Sequence, residues 1–147
     1  METVNDISLE GFKVVSSDFF YAPTKLQLPT FTVWDGSISF SKHAVLMMNY
    51  CENVLLQIHS EGKKALVTPS SSKDKDAVRW LMKKEPFVGR KINCPKLTDK
   101  LYEVWNWDKN YTYRAVGKLV TSGNKVMLLF DFSQAESWKR PEAKNVQ

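Results

Sequence analysis

The sequence predicts a mainly β fold with short helices (α+β): a pseudo-twofold β-barrel built from two strand-helix-hairpin repeats in a single domain, 1–147. Three observations carry this expectation. Short runs rich in β-branched and aromatic residues are separated by glycine turns. Two of these runs end in a lysine where a helix-compatible pattern begins. The glycine-turned hairpins that follow each of them match one another residue by residue.

The elements follow in order. The first ten residues are polar, and GFKVVSSDFFYAP carries enough Phe and Val to read as a strand or ordered arm ending near Pro23. FTVW and SISFS flank Asp35-Gly36, a tight hairpin signal because glycine reaches positive φ without steric cost. Ser41 stands at an N-cap position, and HAVLMMN supplies about two turns of helix, with Val45, Leu46 and Met48 able to face a core. VLLQIHS and KKALVTP form a second hairpin around Glu61-Gly62, ended by Pro69. SSSKDKD has no apolar anchor, so residues 70–86 read as a linker. Within it, DAVRWLMKK fits a helix begun by Ser72 and broken at Pro86, while VRWL fits a paired strand equally well. Pro95 suits the first turn of a helix on which Leu97, Leu101, Val104 and Trp105 recur at helical spacing. Tyr111, Tyr113, Ala115, Gly117 and Leu119 then alternate on one strand face, the chain turns at Ser122-Gly123-Asn124, and VMLLFDF returns. The tail beyond Trp138 is polar, with a disordered end expected.

GSISFSK (36–42) and GRKINCPK (89–96) each give a glycine, a short strand with Ile, and a lysine where a helix starts. Behind them, HSEGKKALV and VTSGNKVML align Ser60 with Thr121, Gly62 with Gly123 and Lys64 with Lys125. One such copy has too few strands to bury its own face, so copies at 30–69 and 87–132 are expected to pair. Two unrelated β-rich halves sharing common turn chemistry remain the alternative at this point.

The pattern resembles the AbrB, MazE and MraZ type of swapped-hairpin β-barrel, whose mark is a Gly-Arg turn and an Ile-x-Ile-Pro-Lys-like strand leading into a short helix. Gly89, Arg90, Ile92, Pro95 and Lys96 match it with one residue inserted at Lys91; the first copy keeps Gly36, Ile38 and Lys42 but has Ser37 for the arginine and Ser41 for the proline. The resemblance implies DNA binding through arginines at that turn and early in the helix. There the first copy offers Ser37, Val45 and Leu46, and the second Arg90 and Lys100. The chain is also similar, less specifically, to small uncharacterised proteins of bacterial mobile elements sometimes labelled integrase, although it has nothing like recombinase catalytic machinery.

A formal charge of +5 and a pI near 9.2 suit an acidic partner. Lys42, Lys63, Lys64, Arg90, Lys91, Lys96, Arg114, Lys118 and Lys125 fall on turns, helix starts and hairpins, where a barrel could gather them into a phosphate-neutralising stripe. The bland reading of these lysines is an ordinary solvated face. Trp105 reads as core, whereas Trp107 is open between core and base stacking. His43, His59, Cys51 and Cys94 lack the spacing of a metal site, and no GxSxG, Walker or GxGxxG element is present. Asp35, one of the few carboxylates that could be imagined in an acid pair, is explained by its turn.

No enzymatic activity, metal or cofactor is therefore expected. Both cysteines read as free thiols in a reducing, cytoplasmic setting, and AVLMM and VMLLF are too short to span a bilayer. The expected function is non-enzymatic binding of double-stranded DNA, as a transcriptional regulator or mobile-element accessory factor. The alternative is a protein-interaction module, antitoxin-like or self-associating, that uses a strand edge or apolar patch.

Overall fold

The computed structural model describes residues 6–16, 28–84 and 89–141. Most of the expected N-terminal arm, Pro86, and the tail beyond residue 141 lie outside the described residues; residues 12–16 form no strand.

Strands β1 (Thr30–Trp34) and β2 (Ser37–Phe40) form the first hairpin, with Gly36 at φ 93° in its turn. After them come α1 (Lys42–Met47), β3 (Asn53–His59), β4 (Lys64–Ser70), β5 (Val78–Arg79), β6 (Ile92–Asn93) and α2 (Pro95–Val104). The chain ends in β7 (Tyr111–Ser122), β8 (Lys125–Asp131), a 3-10 turn at Phe132–Gln134 and β9 (Glu136–Lys139).

Among the described residues these strands form one antiparallel sheet in the order β5-β3-β4-β8-β7-β1-β2-β6, with β9 also on β7. The sheet curls into a half-barrel. Its two ends approach each other, because Leu81 just past β5 bridges Gly89 and the Arg90 N–H donates to the Trp80 carbonyl at 2.8 Å.

β7 is long enough to serve three neighbours. One edge pairs with β1 at Tyr113–Val116; the other takes β8 along Gly117–Ser122 and β9 along Tyr111–Arg114. The 3-10 turn is the step between β8 and β9. Asp131 caps it by accepting from the Ser133 N–H and hydroxyl, and the Ser133 hydroxyl bond, aided by Lys64 and Lys118, holds the Asp131 carboxyl below the usual range.

The concave side is filled by aromatics. Phe31 meets Phe40 at 4.3 Å and Phe130 edge-on at 5.5 Å, while Phe40 meets Trp80 at 5.1 Å. Trp105 stacks on Phe132, and Trp107 lies flat on Tyr113 at 4.0 Å. Each such ring buries on the order of 150–250 Å², which lets a chain of this length hold a core without cross-links.

α1 is capped by Ser41, whose hydroxyl accepts from the Ala44 N–H. The same oxygen accepts from the Thr30 N–H at 2.8 Å and donates to the Leu28 carbonyl, so it also pins the entry of β1. Ala44, Val45 and Met48 are buried, whereas Leu46, expected to face the core, lies on the solvent side with Lys42. α2 begins at Pro95 and buries Thr98, Leu101 and Tyr102, the i, i+3, i+4 stripe of an amphipathic helix. Its Thr98 hydroxyl accepts from the Gly36 N–H, and the Cys94 N–H reaches the Gly36 carbonyl, docking the first hairpin on the helix start. Both helices close alike. Asn49 and Asn106 take left-handed φ of 53°, and the Tyr50 and Trp107 N–H groups reach back to the Val45 and Tyr102 carbonyls.

The structure decides between helix and strand at DAVRWLMKK and keeps the β3–β4 turn at Glu61-Gly62. DAVRWLMKK forms no helix: Val78 and Arg79 pair with β3, and Trp80 is fully buried. At the β3–β4 turn the left-handed residue is Lys63, φ 50°, while the Gly62 N–H donates to His59 Nδ1.

Tyr102 supplies a test of this packing. Its hydroxyl donates to the Tyr111 carbonyl, and burial pushes the phenol up from 10 to about 12. The folded state therefore keeps a proton that the unfolded chain releases above its ordinary value. Stability is fully present below pH 10 and falls as pH rises toward 12. Near-ultraviolet titration should show a late tyrosine step that Tyr102→Phe removes; if the variant titrates as the unmodified protein does, Tyr102 is not buried as described.

Candidate functional site

The nine basic residues singled out from the sequence occupy different parts of this frame. Lys42 and Lys96 sit in the first turns of α1 and α2, both exposed. Lys63 lies in the β3–β4 turn with its carbonyl held by the Phe132 N–H, and Lys125 starts β8 at the far end of its hairpin. Lys64 and Lys118 flank Asp131 on the outer side of β4, β8 and β7. Arg90 Nε donates to the Arg79 carbonyl at 2.8 Å.

Lys91 and Arg114 make the most specific contacts. The Lys91 ammonium lies 5.5 Å over the Trp34 ring, and the Arg114 guanidinium lies 4.9 Å over Trp138 while bonding Glu136 at 2.7 Å. Cation–π contact favours a fixed indole orientation at about 0.5–1 kcal/mol when exposed.

Strand alternation explains why these groups meet on the outer face. On β1, Phe31 and Val33 point inward, so Thr32 and Trp34 point outward. Thr32 stands opposite Ser39 on β2 and Arg114 on β7, while Arg114 stands opposite Glu136 on β9. In the next row Trp138 is opposite Thr112, and Trp34 follows the last β1–β7 pair, Val33 with Tyr113. The two tryptophans thus flank Thr112.

Between them lies a hollow of about 920 Å³, with Thr32, Ser39 and Thr112 as floor and Trp34, Trp138, Asn110 and Arg140 among its walls. Arg140 is anchored through its N–H on the Asn110 carbonyl at 2.8 Å, its guanidinium on the Lys109 carbonyl, and Asp35 at 3.8 Å. Lys109 also reaches Asp35 and, more closely, Asp99, whose hydrogen bond pushes its ammonium pKa up.

Sequence reasoning missed this hollow. In the sequence Trp34 belongs to a hairpin and Trp138 stands at the start of a polar tail, with no sign that Glu136–Lys139 is a strand. The signal was the outward parity of Trp34 on β1 together with a second tryptophan just before Lys139 and Arg140. Trp105 is core, as expected, and Trp107 is half-buried in the aromatic cluster.

Burial pushes both thiols upward, so Cys51 and Cys94 are poor thiolates at neutral pH. Among the described residues no three His, Cys, Asp or Glu converge, and no helix is long and apolar enough to cross a membrane. The arrangement offers planar stacking surfaces, hydroxyls and fixed cations, which is equipment for binding. No protein-family model, curated protein or solved structure matches the chain.

Proposed function

We propose that the chain is an internally duplicated barrel of the AbrB, MazE and MraZ type that binds DNA without catalysing a reaction, using the outer face of β6, β2, β1, β7 and β9. Several features support the duplication. The strand order β5-β3-β4-β8-β7-β1 reads the same from both ends when β5, β3 and β4 are exchanged with β1, β7 and β8. Residues aligned between the copies stand directly opposite each other in two of the cross-copy ladders: Ile38 faces Ile92, and Val67 faces Leu128. The matching ends of α1 and α2 at Asn49 and Asn106 add to this.

The observation that carries the functional reading is the interleaving of cations with tryptophans on that outer face, Lys91 with Trp34 and Arg114 with Trp138. Phosphate neutralisation by such groups releases counterions and makes binding salt-dependent. Retardation of a random-sequence DNA duplex should weaken by about 40-fold or more between about 50 and 200 mM salt for three or more phosphate contacts. Arg90→Glu with Lys91→Glu should weaken it further, and Lys73→Glu with Lys75→Glu in the turn after β4 should not. Absence of retardation, or retardation indifferent to salt, would sink the reading.

A second reading, association with a protein partner or a second copy, is favoured by Leu119 and Val126, which are exposed on one face of the β7–β8 hairpin. Light scattering on the purified protein decides it: a monomer over the whole concentration range leaves self-association without support.

A further inference from the structure

We infer that the hollow between Trp34 and Trp138 is a stacking site for an unpaired nucleobase, so that this face holds a single-stranded segment more tightly than a duplex; the inference rests on the DNA-binding reading above. The spacing fits. Trp34 on β1 and Trp138 on β9 stand on either side of β7, two strand intervals apart, which is about 10 Å between backbones. A flat ring held between two others needs about 7 Å, twice the optimal carbon separation. The volume of about 920 Å³ leaves room for the attached sugar and phosphate.

The lining fits as well. Thr32, Ser39 and Asn110 offer donors and acceptors with no fixed pattern, which suits a site tolerant of base identity. Lys139 and Arg140 line the wall where a phosphate would pass. Lys91 and Arg114 lie over the indoles without lining the hollow, so the stacking surfaces are held before any ligand arrives, and less ordering is needed on binding. An intact duplex keeps its bases stacked on one another and would have to extrude one to use this space. A neutral oligosaccharide could stack on the same indoles, but it would gain nothing from the four cations around them. The charge favours the polyanion.

The test compares four probes of the unmodified protein: an oligothymidylate of about 15 nucleotides, a duplex of that length, an abasic strand of that length, and a neutral oligosaccharide. Fluorescence anisotropy reads the labelled nucleic acids, and tryptophan quenching reads the sugar. The oligothymidylate should bind at least about tenfold more tightly than the duplex or the abasic strand, the fold-change expected of one or two stacked bases. Trp138→Ala should lose about that factor for the oligothymidylate only, and Trp138→Phe should restore most of it. Trp138 is on the surface, and an unchanged melting temperature verifies that these variants fold. Equal affinity for all three nucleic acids, or an unaffected Trp138→Ala, overturns the stacking site while leaving DNA binding intact. No binding of any nucleic acid overturns both readings, and quenching by the oligosaccharide in that case assigns the hollow to sugar.

Discussion

Trp80→Ala should lower the stability of this protein by about 3–5 kcal/mol in urea unfolding, the cost of emptying a fully buried large aromatic site. Trp80 has no exposed surface, its ring meets Phe40 edge-on at 5.1 Å, and its indole N–H donates to the Cys51 carbonyl at 2.6 Å. Its backbone is committed on both sides too: the N–H goes to the Glu52 carbonyl and the carbonyl accepts from Arg90. Domains hold together by roughly 5–15 kcal/mol in total, so much of the population should unfold near body temperature. Trp80→Phe keeps most of the volume but leaves the Cys51 carbonyl without its donor, so it should cost less, about 1–3 kcal/mol. A loss below about 1 kcal/mol for Trp80→Ala would mean that residues 78–81 are a linker after all.

The second large effect is expected at Gly117. A methyl group added there would lie 2.6 Å from the Phe130 ring, with two further ring atoms at 2.9 Å. Phe130 cannot swing aside, because it is fully buried and packed edge-on against Phe31. Gly117→Ala should therefore destabilise by about 1–3 kcal/mol through overpacking. Phe130→Leu in the same chain should relieve part of it, so the double variant should lose less than the sum of the two single changes. Strict additivity would show that ring and methyl group never meet.

Those two residues also mark where the sequence could and could not be read. Hairpins were legible because Asp35-Gly36 and Gly123-Asn124 demand backbone conformations that glycine supplies, and both glycines do take positive φ. α2 was legible because Pro95 and a 3.6-residue stripe agree. β5 was legible only as one of two alternatives, because a two-residue strand has no period, and DAVRWLMKK is rich in residues that helices tolerate. Only tertiary burial of Trp80 decides between the two. Lys63 was missed for a similar reason: Gly62 draws attention, but it is held by His59, and the left-handed residue is its neighbour. The hollow was illegible because its walls come from β1 and β9, at opposite ends of the described chain, and only β7 brings them together. Composition could not say where the fold places the basic residues, nor which of them contact tryptophan.

The cross-pairing of strands has a consequence for how this chain is born. When Phe31 leaves the ribosome, the residue it will face, Ala115, has not been made, and Val67 must likewise wait for Leu128. At about 5–20 residues per second, the early hairpins spend several seconds with open edges. Long-range pairing of this kind slows folding and exposes nascent chains to aggregation. Severed at residue 76, each fragment would carry only half of every cross-copy ladder, so neither should fold by itself, and mixing the two should regenerate the native sheet.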